Sequence, residues 1–71
     1  MKPIYDLQQQ INAAFRDDRE MKDYEGVEVL NDNGIITLTG SVPTREARDR
    51  AEALVRQMDG VVNVINELDV V

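Results

Sequence analysis

Four groups of residues in this chain have types and spacings that invite chemistry. They are an adjacent carboxylate pair, an Asn-Asp-Asn-Gly turn, an amide in an apolar row, and three clustered cations. The carboxylates are Asp17 and Asp18, with Asp32 standing between Asn31 and Asn33. General acid–base work needs a carboxyl whose proton affinity is shifted by burial in a pocket. These acids lie in polar sequence that reads as a helix end and a turn, so no catalytic residue is expected. The chain has no His and no Cys. That removes Ser-His and Cys-His nucleophilic pairs and the usual ligands of zinc. The 31–34 turn has a loose likeness to a calcium loop. A calcium-binding helix–loop–helix needs an acid where Val29 stands and a Glu where Gly40 stands. Gly26, Gly34, Gly40 and Gly60 each fall at an element boundary, and none builds a phosphate-binding loop. The expectation is no metal site and no cofactor.

Asn66 lies in the apolar row of the last strand, and a buried amide must be hydrogen-bonded. Its expected role is to tie that strand to a neighbouring loop. Arg16, Arg19 and Lys22 recur beside Phe15 and Met21, which makes Phe15, Arg16, Arg19 and Lys22 candidate lipid contacts. The charge-rich stretch 16–25 otherwise reads as a solvated helix end and loop, with Met21 plugging the bottom of the core.

The elements that must position these groups carry clear punctuation. Asp6 is the expected cap of a first helix, with Gln9 three residues on in a capping-box arrangement. Leu7, Ile11, Ala14 and Phe15 then share one helical face. Residues 27–30 and 35–39 alternate as strands around a turn built from residues that tolerate positive φ. Val27, Val29, Ile36 and Leu38 fit one face of that hairpin. Glu28, Leu30, Ile35, Thr37 and Thr39 fit the other.

Pro43 and Thr44 open a second helix of about fifteen residues, Thr44 as its cap. Its apolar stripe is Ala47, Ala51, Leu54, Val55 and Met58. Arg45, Glu46, Arg48, Asp49, Arg50, Glu52 and Arg56 mostly face water, and Gly60 stops the helix. A last strand spans 61–71, with Val62, Val64, Asn66, Leu68 and Val70 on one face if no bulge intervenes.

The fold class is therefore an α/β sandwich of α-β-β-α-β order. Two helices cover one face of a three-stranded mixed sheet whose second strand is central, with a right-handed crossover between the second and third strands. Helices on one side leave the other sheet face open. Leu30, Ile35 and Ile65 point there with Thr37 and Thr39 between them, a candidate protein-docking face. The two edge strands add a route for β-augmentation.

Composition bounds what such a molecule does. A chain of 71 residues makes one domain, expected to span 1–71 with its core at about 6–70. A chain this short buries only about 60% of its unfolded surface. With 8 Lys+Arg against 14 Asp+Glu, the net charge is −6. Nucleic-acid binding needs a basic face, so no nucleic-acid partner is expected, and adsorption of the whole surface to anionic lipid is disfavoured. No segment approaches the ~20 apolar residues of a transmembrane span. The first six residues show no apolar signal-peptide region.

The hairpin with Ile36, Leu38 and Gly40, followed by Gly60, Val61, Val64, Asn66, Leu68 and Val70, resembles the BON domain over nearly the whole chain. Two departures stand out: Phe15 replaces a usual aliphatic residue, and Val62 adds an apolar one. The resemblance implies a non-enzymatic binding module of bacterial envelope and stress proteins, often found in tandem and associated with phospholipid attachment. Some members bind other envelope components or a potassium ion. The signature positions Gly40, Gly60, Val64, Asn66 and Leu68 are implied to be structural. The leading expectation is docking to a phospholipid membrane or an envelope partner in the cell envelope or periplasm. The alternative is a protein–protein or self-association module using the open sheet face, cytoplasmic if Met1 is the native start.

Overall fold

The structure is a computed structural model that describes residues 7–24 and 26–71. The expected cap at Asp6 lies outside the described residues. Helix α1 runs Leu7–Asp17 and buries Ile11 and Phe15. It ends one residue before Asp18, and a 3-10 turn follows at Met21–Asp23. Met21 closes the bottom of the core, as its isolation among charges predicted.

Strands β1 (Glu28–Asp32) and β2 (Ile35–Thr39) form an antiparallel hairpin in which Val29 faces Leu38 and Leu30 faces Thr37. Asn33 (φ 52°) and Gly34 (φ 91°) both take positive φ, the pairing that matches a two-residue turn to the right-handed strand twist. The Asn31 side-chain oxygen accepts from the Gly34 N–H at 2.9 Å, so turn chemistry uses the Asn that a calcium loop would have needed. The tip is locked from outside as well. Gly34 O accepts from Val62 N at 2.7 Å, and a Cβ on Gly34 would come within 2.6 Å of Gly60 O.

A short strand β3 (Ser41–Val42) follows, then α2 (Arg45–Arg56). Thr44 caps α2 with its hydroxyl, which accepts from Ala47 N at 3.1 Å. The helix is shorter than expected. It caps at Gln57, and turns carry the chain to Gly60. Ala47, Ala51 and Val55 are fully buried, while Leu54 and Met58 pack at the margin.

Strand β4 (Asn63–Asn66) lies parallel to β2, and β5 (Asp69–Val70) lies parallel to β3. The sheet order β1-β2-β4 puts β2 in the centre of a mixed three-stranded sheet, as expected from the α-β-β-α-β order. The single last strand expected at 61–71 is interrupted, yet its register is not. Ile35 faces Asn63 and Ser41 faces Asp69, so the two strands advance in step without a bulge. Glu67, Asp69 and Val71 donate to the carbonyls of Leu38, Gly40 and Val42.

Two members of the expected inward row depart from it. Val64 and Leu68 are buried and Asn66 is partly so, but Val62 and Val70 are exposed. Val62 is drawn to the hairpin tip by its bond to Gly34, and Val70 sits at the far end of the short β3–β5 ladder.

The core unites Ile11, Phe15 and Met21 with Val29, Ile36 and Leu38 of the hairpin, Val55 of α2, and Val64 and Leu68. Each large aliphatic buried there contributes about 1.5–3 kcal/mol. Among the described residues, no helix is long and apolar enough to cross a membrane.

Candidate docking surfaces

The strand register turns the outward side chains into rows across the sheet. Leu30 faces Thr37, and Thr37 faces Ile65. Asp32 faces Ile35, and Ile35 faces Asn63, in the adjoining row. Three aliphatics on three different strands therefore lie within neighbouring rows. Leu30 is 58% exposed, Ile35 40% and Ile65 43%, while Thr37 and Thr39 are half-buried between the strands. Among the described residues no helix covers this face, because the apolar stripes of α1 and α2 are both spent on the core side. Beside it, a groove runs along β1 against α1, lined by Gln8, Asn12 and residues 27–30.

The end of α1 is arranged differently from the expectation. Of the four candidate lipid contacts, Phe15 departs from that role: it is only 8% exposed and belongs to the core, beside Met21, whose burial was expected. Their side chains occupy the space between helix and sheet, which leaves Arg16, Arg19 and Lys22 as the exposed members of that candidate lipid patch. Exposed Asp17 and Asp23 and half-buried Glu20 alternate with them. Among the described residues none of the three cations enters an ion pair.

Asp18 was expected in a solvated helix end and Arg50 on a wet face; the structure joins them. The Arg50 guanidinium grips the Asp18 carboxylate with Nε to Oδ1 at 2.9 Å and Nη2 to Oδ2 at 2.9 Å. The same carboxylate accepts from Glu20 N (2.9 Å) and Met21 N (3.0 Å). Arg50 and these backbone donors hold the Asp18 carboxyl well below the usual carboxylate range, against the opposing effect of burial. The ion pair fastens the end of α1 to the middle of α2, so its role is architectural. Only half of it had a signal in the sequence: an Asp three residues before Met21 can cap a turn, but nothing local names Arg50.

Asn66 reaches α2 rather than a loop. Its Nδ2 donates to Arg48 O (3.0 Å) and to Glu52 Oε1 (3.3 Å), while its Oδ1 accepts from Leu68 N (3.1 Å). Arg56 binds the same Glu52 at 2.9 Å and, with Asn66, keeps its carboxyl below the ordinary Glu value. One amide thus couples β4, the bend before β5, and α2. Gly40 has φ 116°, and a Cβ there would lie 1.8 Å from Gly26 O. Only glycine lets the two backbones approach so closely. Gly60 also takes a positive φ, and Val64 and Leu68 are core residues.

A two-helix, mixed-sheet sandwich whose Asp18–Arg50 and Asn66 networks tie its elements together defines a small α/β module. The chain belongs to the BON domain family, whose pattern matches residues 5–71. It is 34% identical over 64 residues to the outer membrane lipoprotein DolP of Haemophilus influenzae. That match covers 90% of this chain and 33% of the relative, so the chain spans about a third of that protein's length.

Proposed function

We propose that this chain is a non-enzymatic binding module of the bacterial cell-envelope type, docking through its open sheet face to an envelope partner. The observation that carries this reading is the registered cluster of Leu30, Ile35 and Ile65 around Thr37, exposed on a face that no helix of the described residues covers. Contiguous apolar surface of this kind marks interaction sites, whereas scattered aliphatics do not. The envelope setting rests on family membership and on a relative that is an outer membrane lipoprotein. The test is differential capture from detergent-solubilised envelopes by the wild-type chain and by Ile35→Glu, with matched circular dichroism. Proteins retained by the wild type and lost by the variant support the reading. An identical set on both refutes it.

A second reading, phospholipid docking, is favoured by the exposure of Arg16, Arg19 and Lys22 at one end of α1 without an ion-pair partner among the described residues. With Phe15 and Met21 buried, such docking is electrostatic and screened by salt. An amide NMR titration with anionic bicelles at low and moderate salt separates the two. Salt-sensitive shifts confined to residues 16–22 support lipid docking, and their absence removes it.

A further inference from the structure

The charges around the open face are sorted by sign. Outward-facing Glu28 and Asp32 on β1 frame one side, and Glu67 and Asp69 along the β4–β5 line frame the other. All four are exposed; at the end of the sheet away from the turn Glu28 pairs with Thr39, and Glu67 donates its backbone N–H to the Leu38 carbonyl just before it. No strand contains a Lys or Arg. Every Lys and Arg among the described residues lies in α1, in α2 or in the connection after α1, on the layer behind the sheet. The face is therefore an aliphatic centre in an acidic frame with no compensating cation among the described residues.

We infer that this face docks a protein partner whose own aliphatic side chains are framed by Lys or Arg. The inference rests on the docking role proposed above and adds the chemistry of the occupant. Complementary charges steer encounter and set register, while like charges in juxtaposition oppose association. An anionic bilayer presents the wrong sign to this frame. So does a second copy meeting face to face, because Glu28, Glu67 and Asp69 would meet an equally acidic surface. A second copy meeting head to tail would offer its helix layer, where Asp17, Glu20 and Asp23 offset Arg16, Arg19 and Lys22 on α1, and Glu46 and Asp49 alternate with the arginines of α2. The partner must bring its own cations.

Two synthetic amphipathic helical peptides with the same leucine stripe, one rimmed with lysine and the other with glutamate, test this by amide NMR titration of the full chain. The lysine-rimmed peptide is expected to shift Leu30, Ile35, Thr37 and Ile65, with binding that weakens as salt rises. Glu28→Lys combined with Glu67→Lys should weaken that binding ~10-fold, mainly in association rate. Both positions are exposed, so the melting temperature of the double variant should be unchanged. The glutamate-rimmed peptide should leave the face unshifted. Equal shifts of the sheet face by both peptides would overturn the basic frame and leave the docking face standing. Shifts confined to the helices, or none from either peptide, would overturn both. Concentration-dependent shifts of the same residues without peptide would replace the partner with a second copy and overturn the inference.

Discussion

Replacing Asp18 by Ala removes five hydrogen bonds from one carboxylate: two from backbone N–H groups and three from the Arg50 guanidinium, whose Nε is shared between both oxygens. The cost follows from where each donor is left. Met21 is a buried core residue, and its N–H loses its acceptor, worth about 1–3 kcal/mol. The Arg50 side chain is 47% exposed and returns to water, so solvent screening leaves its share small. The expected loss is about 1–3 kcal/mol, or roughly 5–20 °C in melting temperature for a domain of this size.

Asp18→Asn keeps an oxygen for the backbone donors and should cost less. The pH dependence has a definite sign. The carboxyl is held below its unfolded value near ~3.9, so its stabilisation is complete above that pH. It is lost as pH falls below ~4 toward the depressed folded value. Thermal unfolding by circular dichroism, from neutral pH down to ~2 and with Asp18→Asn alongside, reads both effects. An Asp18→Ala melting temperature within ~3 °C of wild type, or identical acid slopes for wild type and Asp18→Asn, would refute this account of the pair.

Two further outcomes are expected. Asn66→Ala should lower stability by about 1–3 kcal/mol, because Leu68 N–H and Arg48 O lose a partner at once, while peptide and bicelle binding persist in the folded protein; chemical denaturation checks the first and the NMR titrations the second. Gly40→Ala should abolish cooperative unfolding or cost more than about 3 kcal/mol, since its Cβ overlaps the Gly26 carbonyl at 1.8 Å and its φ is 116°; a native-like thermal transition would count against that close approach.

The legibility of this fold follows the range of the forces involved. The 31–34 turn, the Thr44 cap and the apolar stripe of α2 depend on residues a few positions apart, and each appears where the sequence placed it. The outward row of Leu30, Ile35 and Ile65 was also readable, because strand alternation assigns faces before any strand is paired. Phe15 was readable only in part. Its helical spacing named it as core, while its neighbours Arg16 and Arg19 named it as a lipid contact, and only the sheet opposite decided for burial. The Asp18–Arg50 pair had no local signature, since the two residues stand 32 positions apart.

By itself, the amino-acid sequence determined the order of elements, the buried and open faces, the lack of any His or Cys chemistry and the acidic balance. These depend on composition and on periodicities intrinsic to helix and strand. Tertiary structure alone decided that Leu30, Thr37 and Ile65 form one row, that Glu28 and Glu67 reach the same end of β2, and that the cations of the described residues gather on the opposite layer. Strand register and layer assignment arise when distant segments bury their apolar faces together. The sign and shape of the surface therefore exist only once the chain has closed on itself.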